Sequence, residues 1–289
     1  MIHNSLSFVF FGTDDFSIAV LDELARAGFI PTVVVSVPDK PKGRGLALTP
    51  PPIKLWASKR SITVTQPEKL DSVFRGQLSK VNGQLFIVAS YGKIIPKAVL
   101  AIPKYGALNV HPSLLPKFRG ASPIQSAILT GERKTGVTIM LMDEKMDHGP
   151  VLAQKKHQES RIMNHEWPTA SELEKILARE GGKLLAEVIP YWIAGKIKAV
   201  PQDGSLATYC RKFEKVDALI NLSEDPYKNY LKIKAFDRSP AHAFAERNGK
   251  KIRFSIKDAE WRDGRLILTR VIPEGKKEMS YEEFLRGLR

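Results

Sequence analysis

The feature that most constrains the fold is the strand–helix–strand alternation with which the chain opens. The run SLSFVFFG is apolar and rich in β-forming residues, which predicts a buried strand. In the next run, DFSIAVLDELARAGF, apolar residues recur at helical spacing and the helix is expected to end at Gly28; they are Ile18, Leu21, Leu24 and Ala25. A second, β-branched strand, IPTVVVSV, follows. Such alternation is typical of a parallel α/β sheet with helices on both faces.

The alternation continues to about residue 204. Further strands are predicted in SITVTQP, GQLFIVASYG, GALNVHPSLLP and TGVTIMLMDEKMDHGPVL, with a helix-like SPIQSAILTG between the last two. Thr169 and Glu172 have the spacing of a capping box at the start of a long amphipathic helix. We therefore expect residues 1–204 to form one Rossmann-like, mostly parallel α/β domain.

Beyond residue 204 the pattern changes. A connection at about 200–212 leads into short strand-like runs, KKIRFSI, AEWRDG and RLILTRVI, separated by turn residues. These runs predict a small β-rich module over residues 205–289.

Charge and cysteine usage narrow the class of protein. The formal net charge of +14 over 289 residues favours polyanionic partners such as nucleic acid or anionic lipid, although a generally basic surface gives the same total. The single cysteine, Cys210, excludes an intramolecular disulfide and fits a reducing compartment. The apolar run at 6–11 is too short for a signal peptide, and no run has the length of a membrane span. We expect a cytoplasmic protein that does not associate with membranes.

Several common cofactor and nucleophile motifs are missing from the sequence. No G-x-G-x-x-G follows the first strand, and PKGRGLALT lacks the spacing of a nucleoside-triphosphate loop. The six histidines do not have metal-site spacing, so no metal is expected. No G-x-S-x-G marks a hydrolase nucleophile.

Two polar segments follow strand-like runs, NVHPSLLPKFRGASPIQ and MDEKMDHGPVL. If ALNV is a strand, the side chains of Asn109 and His111 point to the same side. Reactive groups collect beyond the carboxyl ends of parallel strands, and the strand TIMLMD is expected to deliver Asp143 and Asp147 there. A carboxylate can orient an imidazole for acid–base work, and an amide can stabilise an oxyanion, as acyl transfer requires.

The same residues also allow a purely structural interpretation. Asn109 and His111 could be turn residues before Pro112, and Asp147 could begin an Asp-His-Gly turn. Spacing alone does not bring Asp147 to His111, so both interpretations stay open on sequence chemistry.

The motifs resemble those of a known family. NVHPSLLPKFRGASPIQ resembles the signature of the folate-dependent formyltransferases, and MDHGPVL resembles their Asp-x-Gly segment. VFFGTDDFSIAVLDEL, VPDKPKGRG, IVASYGKIIP, PQDGSLATYCRKFEKVDALI and EGKKEMSYEEFLRG follow the order of the branch that acts on methionyl-tRNA, over nearly the whole chain. The resemblance implies transfer of a formyl group from 10-formyltetrahydrofolate to the α-amine of methionine on initiator tRNA, without a metal.

The resemblance also implies roles for residues that match the motifs. Asn109 and His111 would polarise the formyl oxygen and stabilise the oxyanion, while Asp147 would orient His111 and help to move protons. The folate would lie against the strand and loop FIVASYGKII and the turn at 113–116. The expected residues are Phe86, Ile87, Val88, Tyr91, Gly92, Ile94, Ser113, Leu114, Leu115, Pro116 and Asp143.

The same resemblance implies a tRNA-binding surface. The insertion PDKPKGRGLALTP would approach the acceptor arm, and further lysines would contact phosphates. The expected residues are Lys40, Lys42, Arg44, Lys212, Lys215, Lys250, Lys251, Lys276 and Lys277. The tail would be an OB-like barrel, shortened by about a hairpin between SPAHAF and PEGKKEM, in a monomeric protein.

Two other functions remain as alternatives. An N-formyltransferase acting on an amino sugar nucleotide would share Asn109, His111 and Asp147, but it should lack the PDKPKGRG insertion and the EGKKEM ending. A non-enzymatic RNA-binding protein could keep the fold without activity, although the intact Asn-His-Asp set argues against it.

Overall fold

The computed structural model describes residues 6–42, 46–158, 162 and 166–288. The strands are β1 (Phe8–Gly12), β2 (Val33–Val35), β3 (Lys40–Lys42), β4 (Ala47–Thr49), β5 (Thr63–Thr65), β6 (Leu85–Ala89), β7 (Ala107–His111), β8 (Arg119–Gly120), β9 (Thr135–Leu141), β10 (Val151–His157), β11 (Tyr209–Cys210), β12 (His242–Arg247), β13 (Lys250–Arg262), β14 (Arg265–Pro273) and β15 (Met279–Ser280). The helices are α1 (Asp15–Arg26), α2 (Pro52–Ser58), α3 (Ser72–Lys80), α4 (Lys97–Leu100), α5 (Pro123–Thr130), α6 (Ala170–Ile193), α7 (Pro226–Ala235) and α8 (Tyr281–Arg286).

Seven strands form the central sheet in the order β10-β9-β7-β6-β1-β2-β5. β1 pairs in parallel with β2 and β6, β2 with β5, and β6 with β7. The predicted mostly parallel α/β sheet is confirmed. The chain builds outward from β1 through β2 to β5, then returns to β6 on the other side of β1. Where strand order reverses in this way, a crevice opens at the carboxyl ends of the strands.

Helices cover both faces of this sheet, as the sequence predicted. Alternate residues of β1 point to opposite faces. Phe8 and Phe10 pack in a core that includes residues of α1, α2 and α6, whereas Val9 and Phe11 pack in a second core with residues of α3 and α4. All five residues of β1 are buried. The central strands are therefore fixed on both sides, which gives the loops at their carboxyl ends a rigid base.

One direction in the sheet differs from the expectation. β9 runs antiparallel to β7, with Leu108 opposite Leu141 and His111 opposite Thr138. The carboxyl end of β9 therefore lies beside the start of β7 and not beside His111. The idea that β9 itself carries Asp143 and Asp147 to the end of β7 is wrong, because strand-like periodicity contains no information about direction.

The tail contains a four-stranded antiparallel sheet in the order β12-β13-β14-β15. The β-rich character is confirmed, and the module is an open sheet over the described residues rather than a closed barrel. KKIRFSI and AEWRDG, expected as separate runs, belong to the single strand β13, whose register shifts between Ile256 and Ala259. A bulge absorbs the charged pair Lys257-Asp258 without ending the strand.

Helix α7 begins with signals that the sequence does contain. The Asp225 side chain accepts hydrogen bonds from the amides of Tyr227 and Lys228, and Pro226 occupies the first helical position. An Asp cap followed by Pro is a strong start for a helix.

The described chain forms two compact units. One comprises residues 1–119, 136–157 and 175–209, and the other comprises residues 120–135, 158–174 and 210–289. The functional domain boundary at 204/205 stays a prediction. In the parts of the chain that the structure describes, no helix combines the length and the apolar character needed to cross a bilayer.

Candidate active site

The site is built on the end of β7, where Asn109 and His111 lie on the same side of the strand. Both side chains are buried, with exposed fractions of 9% and 4%. Among the residues described, no hydrogen bond to the Asn109 side-chain amide is present. A side-chain amide that no protein group uses is free to hydrogen-bond a ligand. Asn109 thus offers an NH₂ donor for an oxygen brought to this edge.

The two ring nitrogens of His111 have different environments. Nε2 is 2.9 Å from the carbonyl oxygen of Phe118. Since a carbonyl only accepts, Nε2 carries the hydrogen in this bond. Nδ1 faces Asp147, with 3.6 Å between Nδ1 and Oδ1, which is within ion-pair range and too long for a hydrogen bond. Nδ1 is therefore the ring nitrogen that is free of the Phe118 bond, and it faces the Asp147 carboxylate.

The carbonyl oxygen of Phe118 fixes the His111 ring, and the backbone at Phe118 is itself held by hydrogen bonds to Thr208. Phe118 has a positive φ of 59°, which is uncommon for a residue other than glycine. Its amide donates to Thr208 Oγ1 at 2.8 Å, and the amide of Arg119 donates to the Thr208 carbonyl oxygen at 2.9 Å. His111 therefore hydrogen-bonds a carbonyl that is anchored to a second segment of the chain.

Asp147 reaches His111 through a loop that doubles back after β9. The Leu141 amide donates to the Pro150 carbonyl oxygen at 2.9 Å, so the loop closes at its base. Gly149 packs against that base so tightly that a Cβ would lie 1.8 Å from the Leu141 carbonyl oxygen. Asp147 has a positive φ of 50°. This reversal, and not the strand direction, brings Asp147 to His111.

Asp143 serves the same loop. Its carboxylate accepts from the Lys145 amide at 2.9 Å and lies 2.7 Å from His148 Nδ1. These contacts stabilise the turn that presents Asp147. The predicted role of Asp143 in folate binding stays a prediction.

The loop after β6 leaves the sheet beside the end of β7. Ser90 has a positive φ of 48°, and its hydroxyl donates to Asp14 Oδ2 at 2.5 Å. Thr13 Oγ1 donates to the Tyr91 carbonyl oxygen at 2.8 Å. Burial raises the pKa of Tyr91 to about 12, and its hydroxyl has no hydrogen-bond partner in the described chain. The segment after β1 therefore holds this loop in place.

The residues predicted to hold folate divide into two groups. The side chains of Phe86, Ile87 and Val88 are buried in the two cores, Ile87 on the opposite face from the others, so they could contact a ligand only through their backbone. Ser113 and Leu115 are also buried, and the Ser113 hydroxyl donates to the Lys117 carbonyl oxygen at 2.6 Å.

The second group is accessible. Ile94 is 78% exposed, and Gly92 is exposed in a left-handed conformation with φ 79°. Leu114 and Pro116 are half-buried. Because β6 and β7 are parallel neighbours, the loops that carry these residues leave the same edge of the sheet.

The residues predicted to contact tRNA are exposed wherever the structure describes them. These are Lys40, Lys42, Lys212, Lys215, Lys250, Lys251, Lys276 and Lys277. Lys40 and Lys42 lie on β3, which pairs antiparallel with β4. Arg44 lies outside the described residues. Within those residues, no three His, Cys, Asp or Glu side chains are grouped to hold a metal ion.

Two residues of the site were not anticipated. Arg119 is only 2% exposed, and its guanidinium donates to Gln202 Oε1 from Nη2 at 2.8 Å and from Nε at 3.1 Å. Both residues stand in segments that carry the family resemblance, but no spacing rule pairs an Arg and a Gln so far apart in the chain. Only the folded structure brings them together.

Comparison with known proteins relates the chain to formyl transfer. Residues 6–189 match a family model described as formyl transferase. A methionyl-tRNA formyltransferase of Geobacillus sp. (strain WCH70) is 39% identical, with 96% of this chain and 93% of that protein covered.

Two solved structures share the fold. The methionyl-tRNA formyltransferase from Clostridium thermocellum has a TM-score of 0.62 at 17% identity, covering 93% of this chain and 98% of that one. An N-formyltransferase from Helicobacter canadensis, in complex with folinic acid and dTDP-3-aminofucose, has a TM-score of 0.61 at 18% identity, covering 95% of this chain and 98% of that one.

Proposed function

Since the chain belongs to the formyl transferase family, and within it to the methionyl-tRNA formyltransferases, we propose that Asn109, His111 and Asp147 transfer a formyl group to the α-amine of methionine on initiator tRNA. The observation that carries the assignment of roles is the approach of Asp147 Oδ1 to within 3.6 Å of His111 Nδ1 at the strand end that bears Asn109. The reaction needs an oxygen-stabilising donor and a route for one proton, and these three groups supply both.

Asn109 stabilises the formyl oxygen. As the amine adds to the formyl carbon, negative charge develops on that oxygen, and an NH₂ donor already fixed in place lowers the barrier. Asn109 is suited to this because its amide is buried, positioned on a strand, and not used by the described protein groups.

His111 and Asp147 handle the proton. The attacking amine must be neutral, and it loses a proton as the new C–N bond forms. The bond between the formyl carbon and the folate nitrogen then breaks, and that leaving nitrogen receives the proton. The Asp147 carboxylate accepts that proton or directs it to His111 Nδ1, since Nε2 is committed to the Phe118 carbonyl oxygen. A His protonated at Nδ1 also places a positive charge beside the developing oxyanion. No covalent enzyme intermediate is needed, because the formyl group is already activated by its donor.

The donor is a folate, which supplies an activated formyl group, and we propose 10-formyltetrahydrofolate. A planar folate ring requires apolar walls and a few backbone hydrogen bonds. Exposed Ile94 and half-buried Leu114 and Pro116 fit the walls, and the backbone of the loop after β6 fits the polar requirement. The unpartnered, buried hydroxyl of Tyr91 lies in the same loop.

The second substrate is a polyanion, and the chain is suited to it by its net charge of +14. We propose that Lys40 and Lys42 on β3 contact the acceptor arm of the tRNA, and that the exposed lysines of the tail add further phosphate contacts. We also propose a monomeric enzyme in the cytoplasm, where the single cysteine would stay reduced.

The test is formyl transfer from 10-formyltetrahydrofolate to methionyl-tRNA, comparing initiator with elongator tRNA for the native chain and for His111→Ala. We expect activity on initiator tRNA and a loss of roughly 10²–10⁴-fold in the variant. Lys80→Ala serves as the unaffected control. Lys80 is exposed at the end of α3, just before β6 begins, and so lies near the amino ends of the strands. Absence of transfer to any charged tRNA would overturn the proposal, and turnover of an amino sugar nucleotide would then favour the alternative substrate.

A further inference from the structure

Buried Arg119 and half-buried Gln202 form a hydrogen-bonded pair that joins the two segments holding the reacting groups. Gln202 Nε2 donates to the carbonyl oxygens of Asp147 at 2.9 Å and Gly149 at 2.7 Å. Gln202 Oε1 accepts two bonds from the Arg119 guanidinium, at 2.8 Å and 3.1 Å. A side-chain amide has two donor hydrogens and two acceptor lone pairs, and all four are used here. The orientation of the amide is therefore fixed by its partners.

Arg119 is fixed in turn. Its Nη1 donates to Tyr209 Oη at 3.2 Å, and its guanidinium carbon lies 5.8 Å from the centre of the Tyr209 ring. At 2% exposure, the guanidinium is desolvated and depends on these partners. Arg119 also directly follows Phe118, the residue whose carbonyl oxygen holds His111 Nε2.

The pair thus connects both supports of the reacting groups. On one side, Arg119 continues the backbone that fixes His111. On the other side, Gln202 binds the loop backbone at Asp147 and Gly149. The distance between His111 Nδ1 and Asp147 Oδ1 depends on how these two segments are held.

The loop needs such support. Asp147 has a positive φ of 50°, a conformation that residues other than glycine adopt uncommonly. Its neighbour Met146 is 59% exposed, so little apolar packing holds the loop there. Two hydrogen bonds from the Gln202 amide restrain the backbone on either side of His148.

We propose that Gln202, oriented by Arg119, is a positioning residue that sets the place of Asp147 relative to His111. This inference rests on the proposed function, because it takes Asp147 as the group that moves the proton. Gln202 touches no reacting atom and acts only through the Asp147 backbone.

Gln202→Glu is the most informative change, because it keeps the shape and the acceptor for Arg119 while it removes both donors to the loop. We expect kcat for formyl transfer to fall roughly 10–100-fold, since misplacement of a catalytic group by about 1 Å has costs of this size. KM for the tRNA and for the folate should change little. Gln202→Met, which adds no charge, repeats the test without the effect of a new carboxylate.

The decisive readout is a double-mutant cycle with Asp147→Asn. If Gln202 acts through Asp147, the loss caused by Gln202→Glu or Gln202→Met disappears once Asp147→Asn is present. Asn229→Asp is the matched control, because the side-chain amide of Asn229 also donates to a backbone carbonyl oxygen, that of Asn221, at 2.8 Å. It should lower the melting temperature and leave kcat unchanged.

The outcomes separate the inference from the function on which it rests. An inactive native chain overturns the proposed function, and the inference with it. If the native chain is active and the Asp147→Asn variant is equally active, the Asp147 carboxylate is not needed for the reaction and the inference is overturned. The remaining case is a native chain that is active and an Asp147→Asn variant that is impaired. The inference alone is then overturned if the Gln202 changes cause no loss of kcat, or cause the same loss with and without Asp147→Asn.

Discussion

At the scale of single residues, the side-chain amide of Asn109 is notable because no described protein group hydrogen-bonds to it. Replacing it by alanine removes the NH₂ donor without introducing a charge or a bulky group. We expect kcat to fall about 10²–10³-fold, the usual cost of one oxyanion donor, while KM changes little. Steady-state kinetics on methionyl-tRNA measure this directly. A large rise in KM with unchanged kcat would instead indicate a role in ground-state binding.

A second residue-scale prediction concerns pH and stability in the tail. The Arg211 guanidinium, with an Nη1–Oδ2 distance of 2.8 Å, and the Glu214 amide lower the pKa of Asp217 to about 2. Because this folded-state pKa is below the ordinary value of 3.8, the ion pair stabilises the fold above about pH 4, and that contribution is lost as the pH falls toward about 2.

The corresponding measurement is the melting temperature of Asp217→Asn against the native chain across this range. We expect the variant to be less stable at pH 7 and the difference to close between about pH 4 and about pH 2. Asp263→Asn is the control, since Asp263 lies in the tight turn between β13 and β14 with φ 50°, which Asn also adopts. A difference that persists at the lowest pH would contradict the assignment.

How far the site could be predicted also differs from residue to residue. The two-residue repeat of a strand was enough to place Asn109 and His111 on one side. The hydrogen bond from His111 Nε2 to the Phe118 carbonyl oxygen could not be predicted, because it depends on a positive φ at Phe118 that no residue type in KFRG requires. The pairing of Arg119 with Gln202 depends on three-dimensional folding of distant segments, for which one sequence contains no signal.

At the scale of elements, sequence periodicity predicts the strands and helices of the α/β part, but it does not predict the directions of the strands. Buried strands are apolar whether they run parallel or antiparallel, so the reversal of β9 against β7 was invisible. The tight packing at Gly149 was equally hidden, since glycine in an Asp-His-Gly turn is expected for many reasons. The structure gives the specific one, the nearby carbonyl oxygen of Leu141.

Gly149→Ala tests this packing. Its Cβ would meet the Leu141 carbonyl oxygen at 1.8 Å, so the loop must move. We expect a loss of about 2–4 kcal/mol in the free energy of unfolding and a fall in kcat, because Asp147 moves with the loop. The matched control is Gly76→Ala in α3, where nothing lies within 4 Å of the added Cβ and the change should stabilise by about 0.5–1 kcal/mol. Chemical denaturation measures both.

At the scale of the whole molecule, the positive charge should appear in the salt dependence of tRNA binding. Removing two phosphate contacts with Lys40→Gln and Lys42→Gln should raise KM for tRNA and reduce the slope of log KM against log salt by about 1–2. The KM for folate and kcat should not change. Lys80→Gln, at the end of α3, removes a charge at the other edge of the sheet and should leave the slope nearly unchanged. Equal effects from all three changes would show that only total charge matters.

The order of strands in the tail has a further consequence, for behaviour in concentrated solution. An open sheet has two edge strands, here β12 and β15, and edge strands can recruit other chains into aggregates. β15 is only two residues long, and β12 ends in the charged pair Glu246-Arg247. A bridge to Leu219 covers His242 at the other end of β12. Short length and edge charge thus protect a sheet that remains open, and neutralising Glu246 and Arg247 would expose the protein to self-association.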